Sequence, residues 1–312
     1  MNTRDLQAYV AVIETGSIVA AALRLHLTQP GITRRVQSLE SMLGVELLDR
    51  QSKPLKPTFA GRDVYEMGRR VLTSVEDLID RVSPQAEASG ELRLGVPPFL
   101  SEAALTTPLD CLRTEFPKLS VRITAAWSPG LMDMLEKNTI DAAAVIVPDG
   151  VPPPARFQVH VLGREPALLV AARSLKLPKG ELPLATLAQY SWVLNQDGCG
   201  LRSAIRLALE AQRQPFNVAV EAFGTELQLS LVARGVGIGI TTPSALRRSA
   251  FRKQIRILSA PDFDNGMGVW LLHAPGLSSG RLAAPLARFR SELADILQQQ
   301  GIASGNAVAG LS

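Results

Sequence analysis

The sequence predicts an N-terminal α winged helix-turn-helix, a linker helix and then an α/β domain, and three observations carry that prediction. Residues 17–44 (SIVAAALRLHLTQPGITRRVQSLESMLG) hold two amphipathic segments joined by a short corner, followed by a basic stretch with a turn. Residues 62–82 repeat apolar or small residues at alternating spacings of four and three. From residue 92 onward, short strand-like runs alternate with amphipathic helical stretches, the pattern of an α/β sheet.

Leu6, Val10 and Ile13 mark a first helix able to pack across the pair that follows. Ser17 can cap a second helix whose apolar face is Ile18, Ala21, Ala22 and Leu25. Thr28 can cap a third whose buried face would be Ile32, Val36, Leu39 and Leu43. Gln29, Pro30, Thr33, Arg34, Arg35 and Gln37 share its other faces. In a helix-turn-helix, the first residues of the second helix meet base edges, and Thr28 to Arg34 offer hydroxyl, amide and guanidinium groups there. An ordinary helical hairpin with a solvated Arg pair is the alternative. The next segment tips the balance, since VELLDRQSKPLKPTF reads as two short strands around a turn, a wing. Between residues 24 and 62 the basic residues are Arg24, Arg34, Arg35, Arg50, Lys53, Lys56 and Arg62, against Glu40, Glu46 and Asp49. That local excess suits phosphate contacts, which position a protein on a duplex without reading it.

Val64, Gly68, Val71, Val75, Leu78 and Val82 form a heptad seam, with charges on the remaining faces of the helix. A helix lying on a domain core would also show one stripe. Gly68 would let two helices approach closely, and a dimer built here would place two recognition helices in successive major grooves of a two-fold site. SPQAEASGE at 83–91 breaks the pattern and marks a domain boundary.

Strands are expected at 92–96, 120–125, 142–147, 167–172, 192–195, 218–223, 236–241, 254–258 and 269–273. In an open α/β sheet a ligand binds beyond the carboxyl ends of strands. The junction residues there are Phe99 and Ser101, Ser128 and Gly130, the loop 198–200 with Cys199, and Thr225. Arg202 could pair with a carboxylate. For each of these, a plain helix cap or surface residue is the alternative.

At 312 residues and 46% hydrophobic content, the chain has length and apolar surface for more than one core. No uninterrupted apolar stretch is long enough to span a bilayer, and the N-terminus lacks a secretory pattern, so a cytoplasmic protein is expected. Two cysteines, Cys111 and Cys199, make no disulfide framework and leave a redox role open; three histidines make no zinc pattern, and no metal or cofactor is implied. GLSSG at 276–280 fits the G-x-S-x-G nucleophile pattern, but no histidine follows Ser278, so an esterase is rejected and no catalytic residue is assigned.

The segment LTQPGITRRVQSLESMLGVELLDR followed by PTFAG resembles the DNA-binding domain of the LysR-type transcriptional regulators over about the first sixty residues. Ile18 and Leu48 stand where that family usually has Phe, Thr28 and Thr33 stand for Ser, and Gly31 for Ala. NTIDAAAV, PLATLAQYSWVLN and LVARGVGIGITTP are similar to the family's effector-binding domain, a two-lobed fold of the periplasmic-binding-protein type. The resemblance implies a DNA-binding domain at 1–61, a linker and dimerisation helix with a hinge at 62–90, and an effector-binding domain at 91–300. Lobe I would be 91–162 with 268–300 and lobe II 163–267, with crossovers near Gly163 to Pro166 and Asn265 to Gly268. Residues 301–312 have little to bury and are expected to be disordered.

The resemblance further implies base readout by Gln29, Pro30, Thr33 and Arg34, flanked by Arg35, with Thr28, Arg50 and Lys53 on phosphates. Partners implied are a double-stranded DNA operator with dyad symmetry, a small-molecule effector such as an organic acid or amino-acid-like metabolite, RNA polymerase, and further copies of the chain in a dimer or homotetramer. The family commonly has Ser or Thr near Phe99. That departure raises a second expectation, a constitutive DNA-binding regulator without effector response.

Overall fold

The computed structural model describes residues 2–52, 54–82, 88–101, 105–263 and 266–304. The chain forms two compact units, residues 1–86 with 136–139, and residues 87–135 with 140–312.

The first unit comprises α1 (Thr3–Thr15), α2 (Ile18–Arg24), α3 (Gln29–Leu43), β1 (Leu48–Asp49), β2 (Lys56–Pro57) and α4 (Phe59–Val82). The caps are those the sequence predicts. Ser17 Oγ accepts from Ala20 N at 3.4 Å and Thr28 Oγ1 from Gly31 N at 3.2 Å. Gly16 and Gly44 end α1 and α3 in the left-handed region, where glycine carries no Cβ penalty. Leu6, Tyr9, Val12, Ile32, Val36 and Leu39 fill the core. One expected core position is corrected: Leu43 is 40% exposed, and Glu40 lies buried instead. Its Oε1 accepts from Leu47 N at 2.9 Å and Leu48 N at 3.3 Å, while Oε2 accepts from Arg50 Nη2 at 3.0 Å. A buried carboxylate thus satisfies backbone donors at the base of the wing, which is what makes its burial tolerable.

The second unit runs β3 (Gly90–Val96), α5 (Pro98–Ser101), α6 (Thr106–Glu115), β4 (Leu119–Ala125), α7 (Ser128–Glu136), β5 (Ala142–Pro148), β6 (Gln158–Pro166), β7 (Leu168–Ala172), α8 (Leu184–Leu187), β8 (Trp192–Asn195) and α9 (Gly200–Ala211). It continues through β9 (Val218–Ala222), α10 (Thr225–Ala233), β10 (Gly239–Thr241), α11 (Pro243–Arg248), β11 (Ile255–Ile257), β12 (Gly266–His273), α12 (Ala283–Gln299) and β13 (Ala303–Ser304). A six-stranded sheet has the order β13-β6-β12-β5-β3-β4, with β3 parallel to β4 and β5 and β12 antiparallel to β5 and β6. The second lobe is built on β10-β7-β11 and on the parallel pair β8-β9. Each lobe has its own apolar core, one around Leu94, Leu271 and Phe289, the other around Leu184, Trp192 and Ile205.

β6 is a strand the sequence reading treats only as a crossover. It pairs along its length with β12, so the two crossovers form one antiparallel ribbon. Asn265, named as part of the second crossover, lies outside the described residues, as do residues 83–87 of the boundary segment. The C-terminal expectation is corrected in part: Ile302 is 2% exposed in the lobe I core and β13 pairs with β6, while 305–312 lie outside the described residues.

The ribbon carries a histidine pair. Arg290 Nη1 lies 3.0 Å from His160 Nδ1, His160 Nε2 lies 3.0 Å from His273 Nε2, and His273 Nδ1 lies 2.8 Å from Ala274 O. One proton arrangement satisfies all three contacts: Arg290 donates to His160, His160 to His273, and His273 to the carbonyl. Both imidazoles are then neutral. Burial lowers the pKa of each, and the Arg290 charge pushes in the same direction. Their unfolded values lie near 6.5, so the stabilisation is present above about pH 6.5 and is lost as pH falls toward the depressed folded values. Urea denaturation at pH 7.5 and 5.5 should therefore show a loss at the lower pH. His160→Gln should flatten that dependence, and an unchanged slope in the variant would place the titration elsewhere.

Candidate nucleic-acid interface and ligand cleft

Thr28, Gln29 and Pro30 at the start of α3 are exposed, and Arg34 projects one turn later, also exposed. Thr33, half-buried, donates its hydroxyl to Gln29 O at 3.1 Å and keeps acceptor capacity. Arg35 is half-buried, and its Nη1 reaches back to Arg4 O at 3.5 Å. It faces α1 rather than the open end of the helix. Arg50 on the wing is held by Glu40, and Lys53 lies outside the described residues. Lys56 on the wing and Arg62 in the first turn of α4 are exposed. Arg24 is ion-paired with Glu14. The basic excess counted along the sequence is thus partly spent within the unit, and the open groups concentrate at Gln29, Arg34 and the wing.

The seam on α4 is divided between two roles. Val64 packs on the core of the first unit. A Cβ on Gly68 would lie 2.6 Å from Leu6 Cδ1, so the space at this glycine is filled by α1 and not by a second helix, which corrects the expectation for Gly68. Val71 and Leu78 remain 38% and 64% exposed, flanked by Met67 at 66% and Ile79 at 56%. Val75 is half-buried, and the side chain of Val82 lies outside those described.

In the second unit the carboxyl ends of strands from both lobes converge on one cleft. Ser128, Cys199 and Thr225 line it, as the sequence reading expects, together with Trp127, Glu165 and Thr241, which that reading does not name. Approach between the lobes is close at Gly200, where a Cβ would lie 3.1 Å from both Ile146 O and Met267 Cε. Phe223 meets the ring of Trp127 edge-on, with centroids 6.4 Å apart. Phe99 and Ser101 belong to α5, but their side chains lie outside those described.

Several polar groups at the cleft are already committed. Ser128 Oγ accepts from Ile146 N at 2.9 Å and donates to Ile146 O at 3.0 Å. Gln228 Nε2 donates to Val193 O and Ile240 O, and its Oε1 accepts from Asn195 Nδ2 at 2.8 Å. Arg202 does not line the cleft: Nη1 donates to Asn195 O at 3.0 Å and lies 2.7 Å from Glu221 Oε1. The carboxylate it pairs with is thus one of the protein's own, since Asn195 O and Glu221 already engage its guanidinium. Burial raises the pKa of the Cys199 thiol, against a smaller opposing effect from the Leu201 and Arg202 amides. A protonated, buried thiol is a poor nucleophile.

Ser278 of the GLSSG motif lies in a 3₁₀ turn (Pro275–Ser278) and donates to Gln158 Oε1. No group of three or more potential metal ligands occurs among the described residues, and no single described helix is long and apolar enough to cross a membrane.

Residues 3–62 match the bacterial regulatory helix-turn-helix proteins of the lysR family, and residues 85–295 match the LysR substrate binding domain. A probable HTH-type transcriptional regulator, LrrA of Synechococcus elongatus, is 31% identical over 244 residues, 77% of this chain and 80% of that protein. Full-length OxyR C199D from Pseudomonas aeruginosa superposes with a TM-score of 0.70 at 19% identity, covering 96% of this chain and 95% of the other. Full-length CbnR in complex with its target DNA gives 0.56 at 23% identity, covering 95% and 100%.

Proposed function

Because the chain belongs to the LysR family of DNA-binding transcription regulators, we propose that it is a ligand-responsive, sequence-specific regulator, read out through α3 and controlled from the interlobe cleft. The domains it carries are those of transcription regulators and not of enzymes. The observation that carries the DNA reading is the exposed start of α3, where Gln29 and Arg34 stand open above a capped and buried helix core. The cleft supports ligand response over the constitutive alternative, since a concave, mostly apolar lining with a few polar groups is what small-molecule sites have. A ligand that binds more tightly to one arrangement of the lobes than another shifts the population toward it, and this is how it would alter operator affinity. Self-association through α4, as a dimer and then a tetramer, would present two α3 helices to a dyad-symmetric operator. RNA polymerase is the partner through which such a regulator would act.

Gln29→Ala and Arg34→Ala should each cost on the order of 1–3 kcal/mol on the specific site and relax preference at one or two base pairs. Lys56→Ala should weaken specific and random DNA alike and reduce the salt slope by about one. Binding measured on both DNAs across a salt series checks this. Equal losses for Gln29→Ala on specific and random DNA would defeat base readout by that residue.

A further inference from the structure

Three polar groups at the cleft are not used up by the protein itself. Thr241 is 1% exposed, and its Oγ1 has no hydrogen-bond partner. The indole Nε1 of Trp127 is likewise buried without one. Glu165 is 4% exposed, and each carboxylate oxygen accepts a single bond, Oε1 from Ser244 Oγ at 2.8 Å and Oε2 from Ser244 N at 3.1 Å. All three residues line the cleft. Orphaned polar atoms are uncommon in protein interiors, and the residues that carry these line a cavity.

Around these groups the wall is apolar, with Pro97, Ile146, Leu201, Ala245, Met267 and Val269. Among the described lining residues Glu165 is the one charged side chain, and none is cationic. Of the cations outside the lining, Arg202 is engaged by Asn195 and Glu221, and Arg248, which feels the Glu165 charge, donates to Gln300 Oε1 at 2.7 Å.

We propose that this cleft takes an uncharged, largely apolar small molecule bearing a hydroxyl group, and that it rejects carboxylates. The proposal rests on reading the cleft as the effector site and names the ligand class of that site. A ligand hydroxyl accepts from Trp127 Nε1–H or from Thr241 Oγ1–H, and its own proton goes to a free lone pair of Glu165. A carboxylate could accept from the same two donors. It would, however, leave water to stand beside a buried carboxylate without a counter-ion, so desolvation and like-charge repulsion act together against it. The organic acid suggested by the sequence has no cationic side chain among the described lining residues to pair with.

Benzyl alcohol and benzoate, nearly equal in shape, test the assignment on the full chain at pH 7.5 by calorimetry. Benzyl alcohol should bind about tenfold or more tightly than benzoate, since a buried charge left unpaired is costly. Thr241→Val, close in shape but without the hydroxyl, should weaken benzyl alcohol roughly fivefold by removing a hydrogen bond. Glu165→Gln should narrow the gap between the two probes, because the repulsion acting on benzoate alone is gone while its desolvation cost stays. Benzoate binding as tightly as benzyl alcohol, or neither binding at tens of millimolar, would overturn the ligand class. Thr225→Trp separates the two levels of the argument. If benzoate wins and Thr225→Trp abolishes its binding, the cleft stands as the site and the class falls; if either probe binds Thr225→Trp unchanged, the cleft reading itself falls.

Discussion

Leu78→Glu and Val71→Glu should each abolish self-association and high-affinity operator binding together, while leaving the fold of the subunit intact. The second half of that expectation follows from exposure. Both side chains already face solvent in the isolated chain, so a carboxylate there meets water and strains nothing. The first half follows from the seam. Met67, Val71 and Leu78, spaced four and seven residues apart, form an apolar stripe that the first unit does not cover, on a helix whose other faces carry Asp63, Glu66, Arg69 and Arg70. A second copy of the helix would cover that stripe by heptad packing. A glutamate in such a seam must be desolvated opposite an apolar side chain, a penalty of several kcal/mol, or about two or more orders of magnitude in the dimer constant. Operator affinity should fall with it, since two half-sites bound by one dimer gain from effective concentration that two monomers lack. Light scattering coupled to size exclusion, together with operator titration, reads both effects. Variants that stay dimeric and bind normally would show that the exposed stripe is not the interface.

Much of this architecture is legible along the chain because its signals are local. Ser17 and Thr28 announce their helices by side-chain capping, a contact made within three residues, and both caps are present. All nine expected strands coincide with an observed one, seven to within two residues at both ends and 236–241 and 269–273 to within three, since β-branched runs bounded by turns need no distant information. The sites were less legible, because they depend on pairing between distant segments. Arg202 sits at the start of α9, where sequence places a ligand-facing cation, yet its partner Glu221 arrives from β9. Glu40 reads as a surface residue until the wing folds back and supplies two backbone donors. β6 contains Gly163, Arg164, Glu165 and a terminal Pro166, a composition that argues against a strand, and it is one because β12 and β13 pair with it. Thr241 was within reach of the sequence: it ends the strand-like run VGIGIT just before a capped helix, the same junction rule that picked out Thr225. Glu165 was not, since nothing local distinguishes a carboxylate on a crossover from one in water.

Gly61→Ala should destabilise the DNA-binding unit, although the same exchange inside a helix is ordinarily stabilising by about 1 kcal/mol. A Cβ at this position, in the first turn of α4, would lie 2.2 Å from Leu47 O and 2.7 Å from Tyr9 Oη. Neither neighbour can retreat cheaply. Leu47 O accepts from Thr58 N at 3.0 Å, and Leu47 N is held by Glu40, so the backbone is fixed from both sides of the peptide. The Tyr9 hydroxyl donates to Gly61 O at 2.7 Å in a buried setting, and pushing the helix away leaves it without that acceptor. Overpacking of this kind costs roughly 1–3 kcal/mol, and an unsatisfied buried hydroxyl adds to it, which outweighs the gain in helix propensity. The melting temperature of the first unit should fall by about 4–8 °C for each kcal/mol lost, with operator binding declining as the unfolded fraction grows. Gly130→Ala supplies the opposite sign from the same chemistry. It lies in α7, where the nearest neighbour of an added Cβ is Ala126 Cβ at 3.7 Å, an ordinary contact, so the substitution should be neutral or stabilising by up to about 1 kcal/mol. Thermal unfolding of both variants, followed by far-UV circular dichroism, separates them. If Gly61→Ala melts with the parent chain, α4 does not pack on Tyr9 and Leu47 as described, and the wing is anchored by Glu40 alone.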